Sequence, residues 1–141
     1  MNARPLHIAL VDDDRVYQFT TERMVARIDP EVRFQWFRNG EEALEYLQRH
    51  SQHPDILPDI LILDINMPYM DGWQFLDAYK NWKLGSAKSV KIYVISSSAD
   101  ERDLLRARSY DDVTDYLEKP ITSDILRNVI AQHIETLQRG T

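Results

Sequence analysis

Five short apolar runs, rich in valine, isoleucine and leucine, alternate along the chain with longer segments of helical period. The runs occupy residues 6–11, 32–37, 59–64, 90–96 and 113–118. The first, third and fourth are almost continuously apolar, which is typical of strands that are covered on both faces. The second and fifth are more mixed, which predicts positions nearer an edge or a solvent-facing end of a sheet.

The segments that follow these runs have the apolar spacing of amphipathic helices. They cover residues 15–28, 41–49, 72–82, 100–109 and 122–138. In the first segment, Val16, Phe19, Met24 and Ile28 define a broad apolar stripe that we expect to be buried. Strict alternation of strands and helices predicts an α/β fold, with a doubly wound parallel sheet, helices on both faces and right-handed crossovers.

Composition narrows the class of protein. The 141 residues fit one domain, so we expect a single domain over residues 1–141 with its core at about 6–138. The chain has no cysteine, no secretory signal and no apolar run near the roughly 20 residues that a membrane span needs, which predicts a cytoplasmic protein without a membrane partner. A net charge of −6, from 23 acidic and 17 basic residues, predicts no nucleic-acid partner.

Chemically active side chains follow four of the five predicted strands. They are Asp12, Asp13 and Asp14 after the first strand, Asp64 and Asn66 at the third, Ser96 to Ser98 at the fourth, and Lys119 after the fifth. Ligands of open parallel sheets bind at the carboxyl ends of the strands, so these groups should share one edge of the sheet.

Such a cluster of carboxylates needs a balancing charge. Two carboxylates about 4 Å apart repel by roughly 4 kcal/mol at an effective dielectric constant near 20. The group must therefore take up protons, recruit Lys119 or bind a cation. A site of oxygen ligands without histidine or cysteine suits Mg²⁺ or Mn²⁺. Helix capping offers a simpler explanation of Asp14 alone, but it does not explain Asp64 or Lys119.

Four motifs along the chain resemble those of two-component response regulator receiver domains. They are VDDD at 11–14, LDINMPYMDGW at 63–73, VISSS at 94–98 and DYLEKP at 115–120. The resemblance runs from about Leu6 to Leu137 and is closest to stand-alone, single-domain, chemotaxis-type receivers. It implies a flavodoxin-like fold of five strands in the order 2-1-3-4-5 with five helices.

The resemblance also implies residue roles. Asp64 matches the phosphoacceptor, and Asp12 and Asp13 match the acidic pair that holds the metal together with Asp64. Asn66 matches the position whose backbone carbonyl completes the metal ligands contributed by the protein. The implied cofactor is Mg²⁺ or Mn²⁺.

Three further residues match the parts that sense the phosphoryl group. Lys119 matches the lysine, Ser96 the hydroxyl residue and Tyr116 the aromatic switch residue. Ser97 takes the place of Ser96 if the register slips by one, and Tyr116 is alternatively a core aromatic. The segment before the fifth strand, RSYDDV at 108–113, departs from the small residues that many family members have there.

The resemblance implies a phosphorylation-dependent signalling switch and no enzyme activity beyond the protein's own phosphorylation and dephosphorylation. The phosphoryl group would pass from the phosphohistidine of a sensor histidine kinase or a histidine phosphotransfer protein to Asp64. The surface at the fourth helix, fifth strand and fifth helix would then change for recognition by a downstream protein target or for onward phosphorelay.

Three alternatives are open. A Mg²⁺-dependent phosphohydrolase with an aspartate nucleophile would need an acid two residues after Asp64, where this chain has Asn66. A pseudo-receiver would be expected to lack the acidic pair, the acceptor or the lysine. A flavodoxin-like cofactor binder would need a phosphate loop where three aspartates follow the first strand.

Overall fold

The computed structural model describes the backbone of residues 5–97 and 100–139 and the side chains of residues 5–97 and 100–134. Ser98 and the side chain of Leu137, which belong to the predicted motifs and helices, lie outside these ranges. The strands are β1 (His7–Val11), β2 (Arg33–Phe37), β3 (Ile60–Asp64), β4 (Lys91–Ser96) and β5 (Val113–Glu118). The helices are α1 (Arg15–Ile28), α2 (Gly40–Arg49), α3 (Gly72–Lys83), α4 (Glu101–Arg108) and α5 (Ser123–Arg139).

The five strands form one parallel sheet in the order β2-β1-β3-β4-β5. This confirms the predicted α/β fold, and it puts the two mixed runs, β2 and β5, at the sheet edges. The central strands β1 and β3 are buried along their whole length because helices cover both faces.

Two apolar layers hold the helices against the sheet. One layer packs α2, α3 and α4 against side chains such as Val11, Leu63 and Val94. The other packs α1 and α5 against side chains such as Leu10 and Ile62. Among the described helices, none is both long and apolar enough to cross a bilayer.

The predicted apolar stripe of α1 is wrong at its first two positions. Val16 is 73% exposed and Phe19 is 54% exposed. The helix instead turns Tyr17, Thr21 and Val25 inwards, at the i, i+4 spacing of one helical face. On this inward face the Tyr17 hydroxyl accepts a hydrogen bond from the Ile121 backbone N–H at 3.2 Å, a tertiary contact that the pattern within α1 does not reveal.

An aromatic cluster joins α3 to α4 and to the segment that departs from the family pattern. The ring of Tyr110 stacks on Trp73 at 6.0 Å, and the Arg106 guanidinium lies 4.5 Å from the centre of the Trp73 ring. The Tyr110 hydroxyl donates to Asp77 Oδ1 at 2.9 Å. The bulky residues before β5 therefore connect two helices, and such contacts are each worth about 0.5–1.5 kcal/mol.

A buried histidine on α5 makes folding stability depend on pH. His133 is 6% exposed, and neither ring nitrogen has a hydrogen-bond partner in the described structure. Burial lowers its pKa; the charge of Asp59 acts in the opposite direction but is the smaller effect, and the charges of Lys91 and Lys88 lower the pKa further. In the unfolded chain the His133 imidazole is protonated near pH 6.5, whereas in the folded chain it is protonated only at lower pH. The free energy of unfolding therefore decreases as pH falls below about 6.5.

We expect His133→Leu to stabilise the protein, and to do so more at about pH 5.5 than at about pH 7.5. At the higher pH the gain should be about 1 kcal/mol, because two unpaired polar atoms leave the core. Urea unfolding of both proteins at the two pH values measures this, and comparing variant with wild type cancels the titration of other groups. An equal gain at both pH values would contradict the role of His133 protonation.

Candidate functional site

The carboxyl ends of β1 and β3 bring three carboxylates together. Val11 pairs with Leu63 in the parallel ladder, so Asp12 and Asp64 follow as the next residues of adjacent strands. One oxygen from each of Asp12, Asp13 and Asp64 lies within 4.8 Å of the others. Asp12 is fully buried and Asp64 is 4% exposed, whereas Asp13 is exposed and leaves the cluster open to solvent on its side.

Lys119 reaches this cluster from the end of β5. Its Nζ donates to Asp12 Oδ2 at 2.8 Å and lies 3.7 Å from Asp64 Oδ2. The same Nζ is 4.4 Å from the centre of the Tyr17 ring, a cation–π contact. Burial alone would lower the pKa of Lys119, but the hydrogen bond to Asp12 and the charge of Asp64 raise it above its ordinary value.

The two buried carboxylates are held in an unfavourable environment. Burial, and then the neighbouring charge of Asp12, raise the pKa of Asp64 to about 6, although Lys119 acts in the opposite direction. Burial also raises the pKa of Asp12, despite its hydrogen bond with Lys119. A cation, or a group that neutralises one carboxylate, would relieve this repulsion.

Backbone N–H groups orient the carboxylates. The Asp14 N–H donates to Asp12 Oδ1 at 2.9 Å, and the Asn66 N–H donates to Asp64 Oδ1 at 3.2 Å. Asp14 itself caps α1, because its Oδ1 accepts from the N–H groups of Val16 and Tyr17. The simpler explanation offered for Asp14 is therefore confirmed, and Asp14 has a different task from its two neighbours.

Ser96 lies at the same edge as Asp64. Asp64 pairs with Ile95, so Ser96 is the next residue of β4, and it is fully buried. Its carbonyl accepts a hydrogen bond from the Lys119 N–H at 2.8 Å, which ties the end of β4 to the segment that carries the lysine. The following residue, Ser97, is exposed.

Tyr116 is half-buried at the α4–β5 surface. It lines a groove with a cavity volume of about 110 Å³ together with Leu104, Ala107, Arg108 and Val113 to Asp115. Asn66 is exposed in the loop after β3, and the role of its carbonyl stays a prediction.

Two aromatic residues contribute to the site although sequence reasoning gave them no such role. Tyr17 lies against the Lys119 ammonium, and the Trp36 Nε1–H donates to the Asp12 backbone carbonyl at 2.7 Å. Contacts of this kind join residues that are distant in sequence, so no local pattern predicts them.

Gly72 at the start of α3 permits a close backbone approach to the residues at the end of β3. A Cβ at this position would lie 2.8 Å from the Ile65 Cα and 3.0 Å from the Asp64 carbonyl oxygen. Because both atoms belong to the backbone, they cannot move aside as a flexible side chain would.

We expect Gly72→Ala to destabilise the protein by about 2–4 kcal/mol, since α3 must shift away from the Asp64 loop. Chemical denaturation measures the loss, with Gly85→Ala as the control, because a Cβ at Gly85 meets nothing within 4 Å. Equal effects of the two substitutions would contradict the packing argument.

Comparison with known proteins identifies the class that this arrangement defines. Residues 8–131 match the response regulator receiver domain family. The probable methanogenesis regulatory protein FilR2 of Methanothrix harundinacea is 30% identical over 128 residues, which cover 91% of this chain and 81% of that protein. The transcriptional regulatory protein CitT of Bacillus subtilis is 30% identical over 131 residues, 92% of this chain but only 53% of CitT.

A solved structure agrees with the sequence relatives. The crystal structure of a two-component response regulator from Cytophaga hutchinsonii superposes with a TM-score of 0.82 at 27% identity, covering 94% of this chain and 99% of that one. The chain therefore belongs to the response regulator receiver domain family, and it is a phosphorylation-dependent signalling switch. Receiver domains in general bind Mg²⁺ in an acidic pocket and interact with histidine kinases and downstream targets.

Proposed function

We propose that Asp64 is the phosphoacceptor and takes its phosphoryl group from the phosphohistidine of a sensor histidine kinase or a histidine phosphotransfer protein. The observation that carries the proposal is the placement of Asp64 at the end of a buried strand, among Asp12 and Asp13 and 3.7 Å from the Lys119 ammonium. A carboxylate oxygen of Asp64 attacks phosphorus, the bond from phosphorus to the histidine nitrogen breaks, and the imidazole leaves with the bonding electron pair.

The residues present fit a hard divalent cation. Asp12, Asp13 and Asp64 offer only carboxylate oxygens, and the exposed side of Asp13 leaves room for water and phosphoryl oxygens. We assign Mg²⁺, or Mn²⁺, to these three side chains and to the backbone carbonyl of Asn66. When bound, the ion would neutralise charge on the carboxylates and on the phosphoryl oxygens.

Lys119 supplies the second neutralising charge. In the unphosphorylated protein its ammonium is shared between Asp12 and Asp64. After transfer, the phosphoryl oxygens on Asp64 carry more negative charge than the carboxylate did, so the ammonium moves its contact toward them. The lysine thereby couples the state of Asp64 to the loop that follows β5.

Ser96 and Tyr116 carry the state outward. Ser96 is the neutral hydroxyl residue that ends β4 beside Asp64, and it would donate to a phosphoryl oxygen. Its movement would open space beside β5, into which the half-buried Tyr116 would turn. The groove that Tyr116 lines between α4 and β5 would then change shape on the α4–β5–α5 face, where a downstream protein or the next phosphorelay partner binds.

Exposed apolar side chains occur in the segments that follow Asp13 and Asp64 along the chain. Val16 and Phe19 on α1 are 73% and 54% exposed, and Tyr69 in the loop after β3 is 85% exposed. We assign these side chains to docking of the phosphodonor, because they lie close in sequence to Asp13 and to Asp64.

The protein acts as a switch and not as an enzyme on other substrates. The position two residues beyond Asp64 holds the amide Asn66, which cannot protonate a leaving group, so nothing in the site favours the phosphohydrolase alternative. Three acidic residues after β1 likewise repel the phosphate of a flavodoxin-type cofactor. We infer that residues 1–141 act as one receiver unit, which works in the cytoplasm with protein partners and without nucleic acid.

The switch is tested with a beryllium fluoride mimic of the phosphoryl group on Asp64. We expect the NMR signals of Ser96 and Tyr116 to shift on addition of beryllium fluoride and Mg²⁺, with new rotamer populations for Tyr116. The Asp64→Asn protein serves as the control and should show no such shifts. Unchanged positions and rotamers at both residues in the treated wild type would refute the coupling even if Asp64 is phosphorylated.

A further inference from the structure

A basic groove lies between α1 and α5, apart from the residues proposed for phosphoryl transfer. It has a cavity volume of about 450 Å³, within the range of small-ligand sites. Its lining residues are three arginines, two hydroxyl residues and two apolar residues, namely Arg23, Arg27, Arg127, Thr20, Ser123, Met24 and Ile28. No acidic residue lines it, although the chain carries a net charge of −6.

Three arginines elsewhere on the surface pair closely with carboxylates. Arg38 lies 3.3 Å from Glu42, Arg49 lies 2.7 Å from Glu45, and Arg102 lies 3.1 Å from Asp100. These three pairs serve as a comparison for the arginines of the groove.

The arginines of the groove are balanced much less. Arg127 reaches Asp124 only at 3.9 Å, and both side chains are largely exposed. The Arg23 guanidinium lies over the Phe19 ring at 5.5 Å. Within the described side chains, neither Arg23 nor Arg27 has a carboxylate within 4.0 Å. Three arginine side chains therefore line one groove with little compensating charge from the described part of the chain.

The chemistry of the lining selects the ligand. Guanidinium groups bind phosphate oxygens in pairs of parallel hydrogen bonds, and three of them match two or more phosphates. The Thr20 hydroxyl already donates to the Tyr17 carbonyl at 3.0 Å, which leaves the Ser123 hydroxyl as the neutral donor of the lining. Met24 and Ile28, both half-buried, add an apolar surface on which a planar base can rest.

We propose that this groove binds a nucleotide with two or more phosphates, with the phosphates on the three arginines and the base on Met24 and Ile28. This inference goes beyond the phosphorylation switch and uses none of its residues. The groove shares α1 with the apolar docking side chains Val16 and Phe19, so a bound nucleotide would compete with a phosphodonor for that helix.

Calorimetric titration with ADP in the presence of EDTA tests the site, because removing divalent ions keeps phosphates from binding through a metal at Asp64. We expect ADP to bind with a Kd of about 10–100 µM, pyrophosphate to bind more weakly, and adenosine not to bind. The double variant Arg27→Gln/Arg127→Gln should weaken ADP binding at least tenfold. The control Arg38→Gln/Arg49→Gln removes the same charge from the connection before α2 and from the end of α2, and it should change the affinity less than about twofold.

Several results would overturn the proposal. They are an ADP affinity weaker than about 1 mM, an equal loss in the two double variants, or tighter binding of a glutamate-rich peptide than of ADP to the same arginines. The last result would assign the groove to an acidic protein segment instead. These three outcomes do not depend on phosphorylation of Asp64. We expect the Asp64→Asn protein to bind ADP like the wild type.

Discussion

We expect the Asp64→Asn protein to accept no phosphoryl group when it is incubated with acetyl phosphate and Mg²⁺, whereas the wild type should gain one. This complete loss of labelling is the largest effect that we predict. Asparagine keeps the shape of the side chain and can still accept the Asn66 N–H, but its amide is not a nucleophile toward phosphorus. Intact-mass spectrometry measures the added group. Asp111→Asn, which removes an exposed carboxylate of the loop before β5, is the control and should be labelled like the wild type.

The same substitution should stabilise the metal-free protein. At pH 7 the wild-type Asp64 is mostly ionised although burial and the charge of Asp12 raise its pKa to about 6, so its ionisation opposes folding. We expect a gain of about 1–3 kcal/mol for Asp64→Asn. This pH dependence of folding stability is opposite to that of most aspartates, whose pKa is lowered by folding. Because the pKa of Asp64 is raised in the folded protein, the apo wild type becomes more stable as pH falls through about 6. Labelled Asp64→Asn protein would refute the assignment whatever its stability.

The second large effect is a loss of Mg²⁺ affinity in Asp13→Asn. Asp13 is the exposed member of the three-carboxylate cluster, so its removal takes away a charged ligand without leaving a buried polar group unpaired. We expect Mg²⁺ to bind at least tenfold more weakly while the apo fold remains intact. Calorimetric titration of Mg²⁺ measures the affinity.

A neighbouring residue provides a matched control. Asp14→Asn removes one negative charge at the adjacent position and retains a good cap for α1, so it should change Mg²⁺ affinity far less. Equal losses in the two variants would show that general charge, and not ligation by Asp13, sets the affinity. In the wild type, affinity should also fall as pH falls below about 6, because protonation of Asp64 competes with the cation.

The fold was largely predictable because the apolar pattern directly reflects burial. The continuous runs of β1, β3 and β4 are covered on both faces, and the mixed runs of β2 and β5 are at the edges. The orientation of α1 was not predictable in the same way. Its outward face carries Val16 and Phe19, so hydrophobicity alone gave the wrong face.

The candidate site was predictable to the extent that it consists of strand ends. Parallel pairing forces Asp12 and Asp64 to one edge, and Lys119 follows β5 at that same edge. The supporting contacts were not predictable, because the Trp36 indole that bonds to the Asp12 carbonyl and the Tyr17 ring beside Lys119 depend on packing across the sheet. Their sequence positions look like those of ordinary core aromatics.

The cluster of Trp73, Arg106 and Tyr110 gives the protein an optical signal of its own. The emission of an indole depends on the charges around it, and the Arg106 guanidinium on α4 is 4.5 Å from the Trp73 ring. A displacement of α4 that accompanies phosphorylation would change this distance and therefore the fluorescence of Trp73. Trp82 donates to the Leu47 carbonyl between α3 and α2, away from α4, whereas Trp36 donates to the Asp12 carbonyl and would report changes at the acidic cluster itself. The switch can thus be followed in real time in the unlabelled chain.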